Sequence, residues 1–484
     1  MRINKFFISG IVLSLLFAFF GTIFPEQSAI VLGNVNQSIL NNFQGLYLFF
    51  GLFVAIAALI IGILPIGKVK LGEGNPEYSF FSWIALLYST GMGSGLLLRA
   101  VQEPIHYLQN PPVDLVEKKQ LALEYTFFHW GITPWAMYSV FGLILACNLY
   151  IHKTGSFRES FSEGVKNKMI KTIVPFFVII ITIAGVIVSL GLGAGQFVGG
   201  TEQYFNIHLN SNSVLLVGLL IGVLGTLSAL TGIQKVIKIL ADFDMAISLL
   251  LLAFVAYFLD FGDFFKNTFS AISEYLVHFV EFSLSIGKYN APDTFTKDWT
   301  VFYWAFWLAW VPFTGTFIAR ISKGRTIREF VIATIITPTI ATMVWFSVFA
   351  NKAFQIADFS GANQFNNVFD SLFVFLNYLP FGSFTNAVVL LLILVTIINS
   401  VDSAIFVLGM ISDDGNENPS KKHKLLWGII ITISAVGLIA LGSDNLLNSV
   451  SNLLVILALP FSLLYFYLII IFFKNLLKPF GDEN

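Results

Sequence analysis

Residues 299–313 read Trp299-Thr300-Val301-Phe302-Tyr303-Trp304-Ala305-Phe306-Trp307-Leu308-Ala309-Trp310-Val311-Pro312-Phe313. The run continues without a charge to Ala319 and then meets Arg320, Lys323, Arg325 and Arg328. About 20 apolar residues suffice for a helix to cross the hydrocarbon core of a bilayer, and a basic cluster at one end marks the cytoplasmic side. The rest of the chain is built alike. Of its 484 residues 56% are apolar and 11% charged, 52 are Phe, and the mean hydropathy is +0.80. A soluble domain carries about 25% charged residues, and a globule in water needs a polar skin. A cytosolic enzyme is therefore excluded, and so is a disordered chain. A net charge of −1 without a basic tail argues against nucleic acid as a partner. The single cysteine, Cys147, excludes a disulfide framework and a multi-cysteine metal site; it reads as a small buried hydrophobe.

Twelve stretches are long enough to span: 6–25, 44–67, 78–98, 126–151, 172–201, 213–234, 236–259, 299–319, 331–351, 382–401, 425–443 and 446–473. The first follows a basic segment, Met1 to Lys5, yet it is about a full span long and no small-residue cleavage site ends it, so it reads as a helix and not a signal peptide. With the N-terminus inside, the even-numbered loops and the two ends carry 20 Lys and Arg against 6 in the odd-numbered loops, with Arg99 at the end of a span. That alternation predicts twelve helices with both termini cytoplasmic. No appended soluble domain is expected. Residues 260–298 alternate Phe, Leu and Ile with Asp263, Lys266, Glu274 and Glu281, which predicts an amphipathic helix at the outer surface; a second is expected over 366–380.

Helix rules are broken in two places. Gly91-Met92-Gly93-Ser94-Gly95 lies inside the third span, where each glycine costs helix stability of order 1 kcal/mol relative to Ala. Unwound backbone at that depth is tolerated only where it is buried or lines a wet cavity; the other reading is close helix packing through small residues. The run Ser189-Leu190-Gly191-Leu192-Gly193-Ala194-Gly195 poses the same choice. Broken helices near the midplane mark secondary transporters.

The aromatic residues are the second anomaly. Trp130, Trp135 and Tyr138 fall close together, the last two a turn apart on a shared face. Trp304, Trp307 and Trp310 recur every three residues, again on one face. An interfacial belt explains Trp299 well and Trp310 poorly, because Trp310 lies about half a bilayer into its span. Electron-rich rings around a cavity would hold a quaternary ammonium by cation–π attraction, with no carboxylate needed.

With these residues in view, the chain resembles the betaine/choline/carnitine transporter family. The resemblance is carried by Gly91 to Gly95 with Glu103-Pro104, His129-Trp130 with Pro134-Trp135-Ala136-Met137-Tyr138, and Ser189 to Ala194. It continues through the Trp-rich run, Ala319 to Phe330, and Asn399-Ser400-Val401-Asp402-Ser403. The resemblance implies an all-α integral membrane protein: two inverted five-helix repeats, helices 3–7 and 8–12, after two extra N-terminal helices. Residues 1–70 would form the peripheral pair, 78–262 the first repeat, 263–297 the periplasmic-side amphipathic helix and 298–474 the second repeat. It further implies alternating access, a homotrimer and a bacterial inner membrane. Matched position by position, the aromatic box would be Trp130, Trp135, Tyr138, Trp307 and Trp310, with Gly91, Met92 and Gly93 as unwound backbone beside the substrate. Phe306 stands where relatives often have Trp.

The same resemblance implies a sodium site from Met92, Asn399 and Ser400, Asn replacing Thr with an oxygen retained. A second would use Thr182 and Phe313, but Val186 occupies its other hydroxyl position. Gly95 stands where proton-coupled relatives place Asp. No cofactor is expected beyond sodium as a coupling ion. Arg99 either snorkels or pairs with Glu103 at i+4, or meets the anionic end of the substrate, or replaces a coupling cation as an exchanger needs. Asp402 is a buried structural partner or a coupling residue. No HExxH, hydrolase elbow or histidine cluster suggests an enzyme. The expected activity is uptake of a quaternary-ammonium osmolyte, glycine betaine or a relative, coupled to sodium. Choline uptake and a carnitine/betaine-type antiport are the alternatives, and short tails give no sign of osmotic regulation.

Overall fold

In lipid a backbone must satisfy its own hydrogen bonds, so charge-free runs of this length fold as helices. A computed structural model of the chain describes residues 5–91, 93–115, 117–231, 234–413, 416, 418–442 and 445–476. Among them there is no strand, and one isolated bridge pairs Lys70 with Thr326. The helices used below are α1 (Lys5–Ile23), α2 (Pro25–Ile63), α3 (Phe80–Gly91), α4 (Ser94–Arg99), α5 (Gln102–Gln109), α6 (Lys118–Trp130), α7 (Ile132–Tyr150), α8 (Lys168–Phe205) and α9 (Ser211–Thr231). Then follow α10 (Gln234–Tyr257), α11 (Phe261–Val277), α12 (Phe302–Ile321), α13 (Ile327–Ser360), α14 (Ser371–Asn377), α15 (Gly382–Ser412), α16 (Lys421–Leu441) and α17 (Leu446–Leu476).

Nine helices among the described residues are long and apolar enough to cross a membrane, and ten if the bent pair around residue 259 is one span. The other two expected spans are helical but differ in kind. Residues 8–23 form a shorter apolar helix. The third span is interrupted: α3 stops at Gly91, Gly93 is extended at φ −121° and ψ 171°, and α4 restarts at Ser94. Outward faces are apolar throughout, as at Phe19, Val31, Leu59, Leu220 and Ile336, which is what lipid in place of water permits.

The interior is organised around α12, which packs on α7, α8 and α17, while α15 packs on α8 and α9. Small residues let these backbones approach: a Cβ on Gly185 would meet the Ala309 carbonyl oxygen at 2.8 Å, and one on Gly315 would meet the Gly142 nitrogen at 3.1 Å. The glycine run 191–195 therefore packs; α8 continues through it unbroken.

Two surface expectations change. α11 turns by 116° from α10 and packs on α6, burying Thr268, Ala271 and Tyr275. Its other face exposes Phe261, Phe265 and Phe269. The segment expected to be a surface helix over 366–380 instead holds α14, whose Leu372, Phe373, Phe375 and Leu376 are buried. Its apolar positions fill the space over α8, where Phe369 and Phe373 press on Gly199 and Gly200.

Candidate functional site

The fourth expected span is broken at Gly131. α6 ends at Trp130 and α7 starts at Ile132, with Gly131 between them at φ −96° and ψ −127°. Pro134 has no N–H to offer the Trp130 carbonyl four residues back. That carbonyl instead accepts from the Trp135 indole N–H at 3.2 Å and the Thr342 hydroxyl at 2.9 Å. The His129 carbonyl likewise accepts from the Trp307 indole N–H at 2.9 Å. The break thus converts two main-chain acceptors into anchors for two rings from different helices.

Four of the five expected box residues come together. Trp130 and Trp307 meet edge to face at 4.9 Å, Trp135 and Tyr138 at 5.4 Å, and Tyr138 and Trp307 at 6.3 Å. Such contacts suit the ring quadrupoles, and a trimethylammonium group enters among them only if the rings separate. Trp310 stands apart, paired with Phe313 at 5.3 Å. A three-residue spacing turns the helix by about 300°, so Trp304 and Trp310 diverge by about 120° and do not share one face. Trp304 is fully buried against Phe128 at 5.1 Å; it is core.

Behind the rings lies a polar network that spacing alone does not reveal. Glu103, 0% exposed, accepts from the Trp130 indole N–H at 3.0 Å and the Tyr107 hydroxyl at 3.1 Å, and from the Tyr303 hydroxyl. Tyr107 also meets His129 Nδ1 at 2.9 Å, and His129 Nε2 meets the Thr300 hydroxyl at 3.1 Å. With the Tyr107 proton given to the carboxylate, His129 donates from Nδ1 to the Tyr107 oxygen. Thr300 sits in a wide π-type turn, Thr296–Val301, at the head of α12, a local form common at functional sites. The one available signal was a carboxylate in an apolar setting at Glu103-Pro104.

Arg99 does not pair with Glu103. Ala100 and Val101 form a turn between α4 and α5, which breaks the i, i+4 geometry, and both Glu103 oxygens already have donors. Arg99 is 8% exposed, hydrogen-bonds Gln102 Oε1 through Nη1 at 2.7 Å and lies 5.1 Å from the Trp299 ring centre. It lines a narrow cleft of about 20 Å³ together with Gly95, Trp130, Ser189, Gln196 and Phe306. A Cβ on Gly95 would meet the Trp130 ring at 3.1 Å, so no acidic side chain fits there without moving that ring.

The ion-site residues divide. Met92 lies outside the described residues. Asn399 Oδ1 is buried without a hydrogen-bond partner, and the Ser400 hydroxyl bonds the Thr396 carbonyl at 2.9 Å. The Thr182 hydroxyl bonds the Val178 carbonyl of its own helix at 2.7 Å, and Phe313 is partly buried. Among the described residues no three His, Cys, Asp or Glu side chains are grouped to hold a metal. Asp402 is buried and accepts from Ser228 on α9.

A family model described as betaine/carnitine/choline family transporter matches residues 5–480. The chain is 36% identical over 479 residues to the glycine betaine transporter OpuD of Bacillus subtilis (strain 168), covering 95% of this chain and 91% of that protein. It is 33% identical over 469 residues to a protein of Desulfitobacterium hafniense (strain Y51) named as a probable glycine betaine transporter, with 93% of each covered. It is 31% identical over 508 residues to the osmo-independent choline transporter BetT1 of Acinetobacter baylyi, with 100% of this chain and 94% of that protein covered.

Proposed function

The chain belongs to the betaine/carnitine/choline family of transporters, and from that premise we propose that it takes up a quaternary-ammonium osmolyte, glycine betaine or a close relative, by sodium-coupled alternating access. The observation that carries this reading is the ring set Trp130, Trp135, Tyr138 and Trp307, brought together at a helix break and held by indole hydrogen bonds to main-chain carbonyls. Once they separate, these rings would give a trimethylammonium group several π faces in a water-poor setting, where cation–π attraction is strongest. The substrate would lie beside the interrupted backbone at Gly91 and Gly93, between two inverted repeats within twelve spans of a bacterial inner-membrane homotrimer.

Sodium is the coupling ion in this reading, carried as cargo. The unpartnered Asn399 oxygen supports the first site, with Ser400 beside it and the Met92 segment completing it. Thr182 and Phe313 support a second site poorly, because Val186 offers no oxygen at its other hydroxyl position. Choline uptake is the second reading, favoured by the resemblance to the Acinetobacter choline transporter. Exchange without sodium is the third, favoured by the fixed cation of Arg99 beside the rings.

Uptake of labelled glycine betaine into proteoliposomes, with sodium gradient, pH gradient and internal substrate varied separately, tests the reading. Accumulation is expected with an inward sodium gradient alone. Uptake driven by internal substrate with neither gradient present would overturn symport and favour exchange.

A further inference from the structure

Gln196 lies on α8, 1% exposed, and both its amide nitrogen and its amide oxygen lack a hydrogen-bond partner. A buried polar atom left unpaired costs about 1–3 kcal/mol, and a whole amide without partners is uncommon in a folded protein. The amide lines the same cleft as Arg99, Trp130 and Phe306. Arg99 has five N–H donors and gives one to Gln102. No carboxylate lies within 4 Å of its guanidinium among the described residues, and the nearest in sequence, Glu103, accepts from Trp130, Tyr107 and Tyr303. One wall of the cleft therefore offers spare donors and a buried positive charge, and another offers the Trp130 and Phe306 rings.

We infer that the Arg99–Gln196 cleft is a subsite for the carboxylate of a zwitterionic quaternary amine. This rests on the transport reading above and sharpens its substrate class. In glycine betaine one methylene separates the trimethylammonium from the carboxylate, and Trp130 belongs both to the ring set and to the lining of the cleft. Choline has the same cationic head with a neutral hydroxyl at its other end. It would bring a net positive charge up to Arg99 with no anion to meet it, and unpaired like charge is what makes a site discriminate. A guanidinium and an amide together match a carboxylate by charge-assisted hydrogen bonds. The cleft thus accepts carboxylate-bearing quaternary amines and rejects choline.

Binding of glycine betaine and of choline to the purified full-length protein, read by tryptophan fluorescence, tests the inference. Wild type is expected to prefer glycine betaine. Arg99→Gln and Gln196→Leu should each weaken glycine betaine about tenfold, the equivalent of one charge-assisted hydrogen bond, and leave choline unchanged or tighter. Gln196→Glu should reverse the preference. Trp307→Leu should weaken both ligands alike, because it removes a ring that both would use. If Trp307→Leu weakens both while none of the cleft variants changes the ratio between them, the subsite is wrong and the aromatic site stands. A wild type that prefers choline also overturns the subsite. If the wild type binds neither compound, the quaternary-ammonium substrate reading itself falls. Monodisperse elution of each variant in detergent separates a binding defect from misfolding, and Gln196→Glu, which predicts a gain for choline, cannot be mimicked by an unfolded protein.

Discussion

Glu103 is a positioning residue for the aromatic site. Its two oxygens hold Trp130, Tyr303 and Tyr107, and Trp130 in turn touches Trp307. Glu103→Leu would leave three buried donors unpaired, each costing about 1–3 kcal/mol, so thermal stability and substrate affinity should both fall. Glu103→Gln should recover most of the loss. Its amide oxygen can accept from Trp130 and Tyr303, and its N–H can give to Tyr107 if Tyr107 then donates to His129 Nδ1 and His129 carries its proton on Nε2 toward Thr300. Melting temperature and transport KM measured on both variants check this. A fall in melting temperature with KM unchanged in Glu103→Leu would reduce the residue to a structural role.

At the scale of elements, one sequence signal had two physical outcomes. Both glycine-rich runs offered a break or a packing face. The run on α8 packs, because neighbouring side chains stand where its Cβ atoms would be, as Ile397 does at Gly193 and Phe369 at Gly195. At Gly93 a Cβ would meet nothing within 4 Å, and there the helix breaks. The neighbours that decide the matter come from segments hundreds of residues away, so local sequence could not tell the runs apart. The spans and the Trp130 to Tyr138 cluster were legible because hydropathy and ring content are local. The Glu103 network and the lone amide of Gln196 were not, since their meaning depends on partners gained or missing in three dimensions. Gly185→Ala should destabilise by about 1–3 kcal/mol through overpacking, as its Cβ would press on the Ala309 carbonyl at 2.8 Å. Gly93→Ala, at an ordinary φ of −121°, should leave the melting temperature nearly unchanged while altering transport. Thermal unfolding in detergent compares them, and equal losses would mean that Gly93 is also a packing position.

For the molecule as a whole, the charge alternation and the contacts between loops agree. Segments expected on the inner side meet one another: the Leu71 N–H donates to the Arg325 carbonyl at 2.8 Å, Lys153 pairs with Glu73 at 3.1 Å, and Arg328 reaches the Gly62 carbonyl at 2.8 Å. Segments expected outside do the same, with Lys119 on Asp358 at 2.6 Å, Gln109 on Asn363 at 2.9 Å and Lys297 on Asn41 at 3.0 Å. The two exposed ion pairs among these contacts add little stability, but all six contacts sort the loops into two sets. The excess of Lys and Arg in the first set predicts that it faces the cytoplasm. Single cysteines introduced at Lys153 or Lys323, and at Asn363 or Lys288, test the assignment in intact cells with a membrane-impermeant maleimide. The native Cys147 is buried and contributes no label. Asn363→Cys and Lys288→Cys should label at once, and Lys153→Cys and Lys323→Cys only after the cells are permeabilised. The reverse pattern would invert the protein in its membrane. A mixed pattern within either set would break the pairing of loops that the hydrogen bonds describe, because residues joined by direct contacts cannot lie on opposite sides of a bilayer.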